Sequence, residues 1–371
     1  MTRKIRVLIV DDSTLIRRML THALTLDNDI EVAGSAPNGK IALAKIPLVS
    51  PDVITLDMEM PVMDGIATLI EIKKLYPQIP VIMFSALTER GAHATFDALS
   101  RGASDYVTKP GNVGSATEAI QSVHRELAPR VKTFCAWYSK SKTHRIERIT
   151  GQPTSIPRTR PRSEDPPQFE VLAIGVSTGG PNALTSVLPT LPKNFPLPIL
   201  IVQHMPPVFT RQLAERLNSA CKIEVREAQA GDILTPGTAL IAPGGDHMRV
   251  RRKGINVVVE RTQDPPENFC RPAVDVLFRD LDTVFGAQVL ATVLTGMGRD
   301  GFQGARLIHQ SGGFILAQDE ATSVVWGMPG AVVEGQLADR VLPLDRIGEE
   351  IIRLTAQSKY PVVRTEARQL V

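Results

Sequence analysis

Short apolar runs alternate with helical patterns along most of the chain. In the first 128 residues the apolar runs predict five strands, at residues 6–10, 30–33, 53–56, 81–84 and 105–107. After Asp12 or Ser13, either of which suits a helix N-cap, apolar residues recur at helical spacing, namely Leu15, Ile16, Met19, Leu20, Ala23 and Leu24. Strands that alternate with helices in this way predict a doubly wound parallel α/β domain.

The alternation stops and later returns. A helical pattern runs from Ala116 to near Tyr138, and five prolines then lie among Arg, Ser and Thr up to residue 167. From residue 168 apolar runs predict further strands at 169–174, 199–202, 239–242, 289–294 and 314–317. We therefore predict two doubly wound α/β domains, at 1–128 and 168–358, with a helical extension and linker at 129–167 and a tail at 359–371.

Charge and composition change this picture little. The formal net charge of the 371 residues is +3, yet residues 142–162 alone hold six basic residues against one acidic residue. A solvated tether fits that linker better than a surface for nucleic acid or acidic lipid. Because no apolar run approaches the roughly 18 residues of a membrane span, no signal peptide is evident and three cysteines lie far apart, we expect a cytoplasmic protein that is not membrane-embedded.

Polar residues follow several strands of the first domain. Asp11 and Asp12 follow the first strand, Asp57 the third and Ser85 the fourth, and Lys109 lies after the fifth. The carboxyl ends of parallel strands share one edge of a sheet, where ligands bind. Each residue alone also fits a purely structural role, as a helix N-cap, an acidic residue in a turn or a surface charge. Together they predict a Mg²⁺ site at which a carboxylate accepts a phosphoryl group.

This half resembles the response-regulator receiver domain over essentially its whole length. The matching segments are residues 10–13 (Val-Asp-Asp-Ser), 57–65 (Asp-Met-Glu-Met-Pro-Val-Met-Asp-Gly) and 107–110 (Val-Thr-Lys-Pro). The resemblance implies a flavodoxin-like fold, a histidine kinase as phosphodonor and Asp57 as the phosphoacceptor. It also implies that the backbone carbonyl of Glu59 joins Asp11, Asp12 and Asp57 on Mg²⁺. Ser85 and Tyr106 match the switch pair of the family, and Lys109 would neutralise phosphoryl oxygens.

A serine in the second domain occupies the place of a nucleophile. Ser177 follows an apolar strand in Gly-Val-Ser-Thr-Gly-Gly-Pro, and a helical pattern begins at Pro181. A Gly-rich turn that holds phosphate is the alternative. His204 and Asp300 also follow apolar strands, so a Ser/His/Asp constellation is sterically plausible. The competing histidine, His247, would lie in a loop between shorter strands. For His204 and Asp300 a purely structural role remains an equal alternative.

Residues 169–350 resemble the catalytic domain of the chemotaxis protein-glutamate methylesterase. The matching segments are 174–181, 203–206, 241–245, 271–278, 294–301 and 325–329. The resemblance implies a Rossmann-like hydrolase domain that needs no cofactor and demethylates glutamates of methyl-accepting chemoreceptors. Ser177 would be the nucleophile, His204 the base, Asp300 the orienting acid, and Thr178 and Met297 the oxyanion-hole donors.

Several consequences of that resemblance concern substrates and control. Some relatives also deamidate receptor glutamines. At Gly330 relatives often carry a basic residue, so local substrate contacts there are open. In the family the unphosphorylated receiver blocks the active site, and we expect phosphorylation of Asp57 to relieve this inhibition. Two other classes remain as alternatives: a DNA-binding output module, for which no helix-turn-helix pattern is evident, and a catalytically silent scaffold. We expect no nucleic-acid partner.

Overall fold

The computed structural model describes residues 3–111, 115–144, 168–358 and 360. The chain divides into two compact units, residues 1–153 and 154–371, and each is considered by itself. The predicted Pro/Arg-rich linker falls largely on residues 145–167, which lie outside the described residues, and so does the predicted tail apart from Tyr360. The domain boundaries given above therefore stay predictions.

The first unit is a parallel sheet between helices, as predicted. Its five strands have the order β2-β1-β3-β4-β5, and all of their pairings are parallel. The strands are β1 (Ile5–Val10), β2 (Ile30–Ala36), β3 (Val53–Asp57), β4 (Val81–Ser85) and β5 (Asp105–Thr108). The helices are α1 (Thr14–Thr25), α2 (Gly39–Val49), α3 (Gly65–Leu75), α4 (Glu89–Ser100) and α5 (Ala116–His144).

The first helix shows how local sequence sets these elements. Ser13, rather than Asp12, is the N-cap of α1, and its hydroxyl accepts a hydrogen bond from the backbone N–H of Ile16. Leu20 and Leu24 of the apolar face are buried, but Leu15 is 75% exposed. The buried apolar face therefore does not include Leu15, in the first turn of the helix, although the periodicity had predicted that it would.

The second unit is also α/β, with a seven-stranded parallel sheet in the order β14-β13-β12-β6-β7-β9-β8. Its strands are β6 (Val171–Val176), β7 (Ile199–Gln203), β8 (Glu224–Glu227), β9 (Thr238–Ile241), β12 (Val289–Val293), β13 (Phe314–Gln318) and β14 (Arg340–Leu342). Its helices are α6 (Gly180–Val187), α7 (Phe209–Ala220), α8 (Val274–Phe285), α9 (Phe302–Ser311), α10 (Met328–Glu334) and α11 (Leu344–Thr355). The fold class predicted for both domains is confirmed.

A hairpin in this unit differs from the prediction. Strands β10 (His247–Lys253) and β11 (Asn256–Thr262) pair antiparallel. They were not predicted because charged residues occupy many of their positions, so no continuous apolar run marks either strand. His247, predicted to lie in a loop, begins β10 and is fully buried. Its Nδ1 accepts a hydrogen bond from the backbone N–H of Ala273, 3.2 Å away. This contact gives His247 a structural partner at the start of α8.

The central strands owe their positions to burial on both faces. Every residue of β6, β7 and β12 is buried, as expected of parallel strands that helices cover on both sides. β6 is the point at which the strand order reverses, because β7 continues the sheet on one side and β12 on the other. Ligands of open parallel sheets bind at such a point. Among the described residues, no helix combines the length and apolar character that crossing a membrane requires.

Candidate functional site

Ser177 lies directly beyond the central strand β6, on the turn that leads into α6. Gly179, the N-cap of α6, has a φ of 79°, a conformation that favours glycine. Gly296, in the loop after β12, approaches so closely that a Cβ atom there would come within 2.9 Å of the Ser177 Cβ. The glycines thus allow a tight turn and bring the loop after β12 against the serine.

His204 and Asp300 are in direct contact. His204 Nε2 and Asp300 Oδ2 are 2.6 Å apart. His204 follows β7, the neighbour of β6 on one side, and Asp300 ends the loop after β12, the neighbour on the other side. The carboxylate is 2% exposed. Two residues that are 96 positions apart in the sequence therefore meet at the carboxyl edge of the sheet.

The first turn of α8 fixes the Asp300 carboxylate. Its Oδ2 accepts a hydrogen bond from the backbone N–H of Val274 at 2.6 Å, and its Oδ1 accepts one from that of Asp275 at 3.0 Å. Gly301 N–H also donates to Oδ1. Helix α8 has no side-chain cap of its own, so Asp300 satisfies N–H groups that a helix start leaves without partners. The helix dipole favours a negative charge at this place.

The charges of the pair stabilise each other. Burial by itself lowers the pKa of His204, but hydrogen bonds with Asp300 and Cys270 and the charge of Asp300 raise that pKa to about 10. Burial likewise acts to raise the pKa of Asp300, yet the hydrogen bond and charge of His204 hold it below its ordinary value. The arrangement therefore favours an imidazolium beside a carboxylate.

Ser177 and His204 are adjacent through their backbones. The N–H of His204 donates to the carbonyl of Val176 at 3.2 Å, and the side-chain amide of Gln203 donates to the carbonyls of both Ser177 and His204. In the part of the chain that the structure describes, no hydrogen bond joins the Ser177 hydroxyl to the imidazole. Hydrogen bonds of this kind are often long before substrate binds.

Thr178 and Met297 lie on two segments that are tied together beside Ser177. The backbone N–H of Ser177 donates to the carbonyl of Thr295 at 3.0 Å. The Thr295 hydroxyl in turn donates to the carbonyl of Thr178 at 2.9 Å. Met297 follows Gly296, which touches Ser177 as described above. The structure thus brings both predicted oxyanion-hole residues close to the serine.

Two residues beside the His204–Asp300 pair were not predicted from the sequence. Asn268 Nδ2 donates to Asp300 Oδ1 at 2.9 Å and to Asp275 Oδ2 at 3.0 Å, so one amide bridges two carboxylates. Cys270 lies near His204 and raises the pKa of its imidazole. Both lie in an irregular loop far along the chain from Ser177. The matching segment 271–278 begins only after them.

Gly330, where the resemblance led us to expect a basic residue, is buried near the start of α10. A Cβ atom there would lie 3.0 Å from the Trp326 ring. A longer side chain would require that ring to shift.

The first unit has a site of its own, between β1 and β3, where its strand order reverses. One oxygen from each of Asp11, Asp12 and Asp57 lies within 4.8 Å of the others. Asp11 and Asp57 are buried, whereas Asp12 is exposed. Asp11 Oδ2 has no hydrogen-bond partner. This carboxylate cluster and its unsatisfied buried oxygen fit Mg²⁺, which prefers such ligands and keeps several waters.

Lys109 is the cation next to this cluster. Its Nζ lies 2.7 Å from Asp57 Oδ1 and 3.4 Å from Asp11 Oδ2. Burial and the nearby charge of Asp57 raise the pKa of Asp11 to about 6 although Lys109 opposes this rise. Burial also raises the pKa of Asp57, again against the effect of Lys109. One lysine does not balance the cluster, so a further cation is favoured.

The remaining predicted residues surround this cluster at different depths. Ser85 ends β4 and is fully buried, and its hydroxyl donates to the carbonyl of Gly91 at 3.1 Å. Tyr106 lies in β5 and is 8% exposed. Glu59 lies in the loop after β3, and its exposed carboxylate is 3.5 Å from Arg90. In this conformation the Ser85 hydroxyl bonds to α4 and would have to turn to meet a group on Asp57.

Comparison with known proteins matches each unit to a family. Residues 172–351 match the family model of the CheB methylesterase, and residues 7–121 match that of the response regulator receiver domain. The solved catalytic domain of a CheB methylesterase from Thermotoga maritima is 42% identical, with a TM-score of 0.50. The match covers 50% of this chain and 99% of that domain.

Two curated proteins are similar over nearly the whole chain, and both are named protein-glutamate methylesterase/protein-glutamine glutaminase. The protein from Trichodesmium erythraeum is 51% identical, over 94% of this chain and 99% of its own length. The protein from Nocardioides sp. is 49% identical, over 97% of this chain and 98% of its own length. Both matches therefore span the two units of this chain.

Proposed function

The chain belongs to the CheB methylesterase family, in which a receiver domain precedes the catalytic domain, and on that basis we propose that it hydrolyses γ-methyl esters of glutamates in methyl-accepting chemoreceptors. Methanol is the product. The observation that carries the proposal is the 2.6 Å contact of His204 Nε2 with Asp300, next to Ser177 on the adjoining strand. The comparisons support the reaction class, and the contact supports the roles of these residues.

The first half of the reaction uses Ser177 as nucleophile. In the fraction of the enzyme whose His204 is neutral, the Ser177 Oγ attacks the ester carbonyl while His204 takes the hydroxyl proton. Because Nε2 is held by Asp300, Nδ1 is the ring nitrogen that accepts this proton. The imidazolium that forms lies against Asp300, whose charge stabilises it. Backbone N–H groups of Thr178 and Met297 would stabilise the oxyanion, a contribution worth roughly 10²–10³ in rate per donor in other enzymes.

The second half releases the substrate. His204 returns the proton to the leaving methoxide, so methanol departs and an acyl-enzyme forms on Ser177. Water then attacks this ester with His204 again as base, and glutamate is freed from Ser177. An amide can pass through the same kind of intermediate. Since both relatives are also named protein-glutamine glutaminases, deamidation of receptor glutamines, with ammonia as the leaving group, is a second candidate activity.

The receiver would control this reaction through Asp57. Its carboxylate accepts a phosphoryl group from a histidine kinase, with Asp11, Asp12 and the Glu59 carbonyl as further ligands of Mg²⁺. When bound, Mg²⁺ supplies positive charge that balances phosphoryl oxygens.

Lys109 already lies within 2.7 Å of Asp57 and would pair with one of the phosphoryl oxygens. The added charge of roughly −1.5 to −2 would draw the Ser85 hydroxyl from Gly91 towards the phosphoryl group, with Tyr106 moving in response.

Methanol release from methylated receptor membranes tests the proposed reaction. We expect release by the wild-type chain and none above background by Ser177→Ala. Ser186→Ala is the matched control, because Ser186 is an exposed serine on α6, the helix that follows Ser177, and its hydroxyl bonds only to the carbonyl of Asn182. Release by Ser177→Ala at the wild-type rate, or no release by a folded wild-type chain with a competent receptor, would contradict the proposal.

A further inference from the structure

An unusual turn lies next to the catalytic pair. Glu267 and Cys270 exchange two backbone hydrogen bonds, of 3.1 and 2.8 Å, and enclose Asn268 and Phe269. The two enclosed residues have φ values of 51° and 63°. Two-residue hairpin turns of this left-handed kind are usually built from Asn followed by Gly. Asn268 fits the first position, but Phe269 stands where glycine would be expected, in a conformation that a bulky residue rarely adopts.

Within the described part of the chain, the Phe269 side chain makes no packing contact that would offset this strain. It is 96% exposed, the most exposed large hydrophobic residue among those the structure describes. A strained backbone conformation persists only where the surrounding structure imposes it. An aromatic ring in water at such a position adds no packing, so glycine would give the same turn at a lower free energy. The strained backbone and the exposed ring together indicate that Phe269 serves to contact another molecule rather than to stabilise the fold.

Contacts on both sides fix this turn in place. Asn268 bonds Asp300 and Asp275, as described above, and Cys270 lies near His204. The carboxylate of Glu267 forms two hydrogen bonds of 2.6 Å with the Arg279 guanidinium on α8. Successive Cα atoms are about 3.8 Å apart. Of the two sequence neighbours of Phe269, Asn268 bonds Asp300 and Cys270 lies near His204. The backbone that carries the ring is therefore fixed at the rim of the site.

We propose that Phe269 is a substrate-docking residue whose ring contacts apolar side chains of the receptor segment that flanks the esterified glutamate. This inference rests on the proposed function, since it assumes a protein substrate for Ser177. A methyl ester offers little surface, so binding energy must come from parts of the substrate remote from the reacting atoms. Exposed, preorganised aromatic rings are typical anchors in protein interfaces. The rigid turn supplies such an anchor beside the nucleophile.

The test is Phe269→Gly in the full-length chain, measured on two substrates. We expect kcat/KM for methylated receptor to fall roughly tenfold, mainly through KM, because anchor residues carry much of the binding energy. Hydrolysis of a short γ-glutamyl methyl ester peptide should stay within about twofold, because it lacks the flanking segment. The midpoint of thermal unfolding should rise, because glycine relieves the positive φ. Phe269→Leu should retain most receptor turnover.

Ile255→Ser is the matched control. Ile255 is 66% exposed and lies in the turn that joins β10 to β11, at the end of the hairpin away from His247. We expect this variant to hydrolyse both substrates at the wild-type rate.

Different failures have different meanings. Unchanged receptor kinetics in Phe269→Gly would overturn the docking role. An equal loss on the short peptide would show that the turn positions His204 and Asp300 instead, and a lower unfolding midpoint would show that the ring supports the fold. A gain of activity in the absence of phosphodonor would show that the ring contacts another part of this chain, which also overturns the proposal. No methanol release by the wild-type chain would count against the proposed function itself.

Discussion

In the first unit, Asp11 and Asp57 are buried carboxylates that share one lysine, and burial raises the pKa of both. In the second unit, Asp300 is equally buried but accepts hydrogen bonds from five groups, and its pKa is lowered. Both sites lie where the strand order of a parallel sheet reverses. The difference is that one acid is fully satisfied by the fold, whereas the other cluster needs a cation from solution.

This contrast suits two kinds of chemistry. An orienting acid must keep one charge and one position through every turnover, and the start of α8 supplies both for Asp300. A phosphoacceptor must instead change its state, and a cluster with excess negative charge responds strongly to a cation or a phosphoryl group. The predictions below test whether each carboxylate behaves as its surroundings require.

The largest effect is expected at Ser177. Ser177→Ala should lower kcat for methanol release by roughly 10⁴- to 10⁶-fold, as removal of a nucleophile does in other serine hydrolases. Cys270→Ala should stay within about tenfold of wild type although Cys270 lies near His204, because Asp300 remains to hold the imidazole. Steady-state kinetics on methylated receptor membranes measures both. The opposite ranking would make Cys270 the nucleophile.

Asp300→Asn should come next. Asparagine keeps an oxygen for the N–H of Asp275 but loses both the charge and the oxygen that faces Val274 and His204, so we expect kcat to fall about 10⁴-fold. Neutral His204 is the base, and activity therefore rises with pH through its pKa. Since Asp300 raises that pKa, the variant's acid limb should move to lower pH. A pH profile of kcat/KM with an unmoved or upward-shifted limb would show that Asp300 does not set the charge of His204.

In the first unit, Asp11→Asn should weaken Mg²⁺ binding by about tenfold or more, or roughly 1.4 kcal/mol. The wild-type chain should also lose affinity as the pH falls below about 6, because protonation of Asp11 removes a ligand. Titration calorimetry of the full-length chain measures both effects. Asp97→Asn, an exposed carboxylate paired with Arg101 on α4, should change nothing. Equal affinities for Asp11→Asn and wild type would remove Asp11 from the metal site.

The smallest effect is expected at Asn268. Asn268→Gly removes the amide that bridges Asp300 and Asp275 but tolerates the φ of 51°. We expect kcat to fall about tenfold, the effect of losing a hydrogen bond to a charged group, while KM stays unchanged. A change in KM alone would assign Asn268 to substrate binding rather than to positioning of the acid.

The sequence was most informative where function depends on strand ends. Ser177, His204, Asp300, Asp11, Asp12 and Asp57 each follow an apolar run, and parallel strands bring such positions to one edge. That rule does not depend on side-chain detail, so both doubly wound domains and the neighbours of each site could be predicted.

Contacts from irregular segments could not be predicted in the same way. Asn268 and Cys270 lie beside the His204–Asp300 pair in a turn whose left-handed φ values no periodicity reveals. The role of α8 in holding Asp300 depends on a helix start meeting a loop from elsewhere in the chain, which is a tertiary contact. The β10–β11 hairpin was missed because charged residues such as Arg251 occupy its outward positions, and His247 was misplaced with it.

The central claim is that one chain couples a phosphoacceptor in its first unit to an esterase in its second. The most direct test measures methanol release by wild-type and Asp57→Asn chains, each with and without Mg²⁺ and a small phosphodonor. We expect the wild-type rate to rise roughly 5- to 150-fold, the usual range of coupling between two sites. Asp57→Asn should keep its basal rate without any rise. An equal response of both chains, or none by wild type, would contradict the coupling.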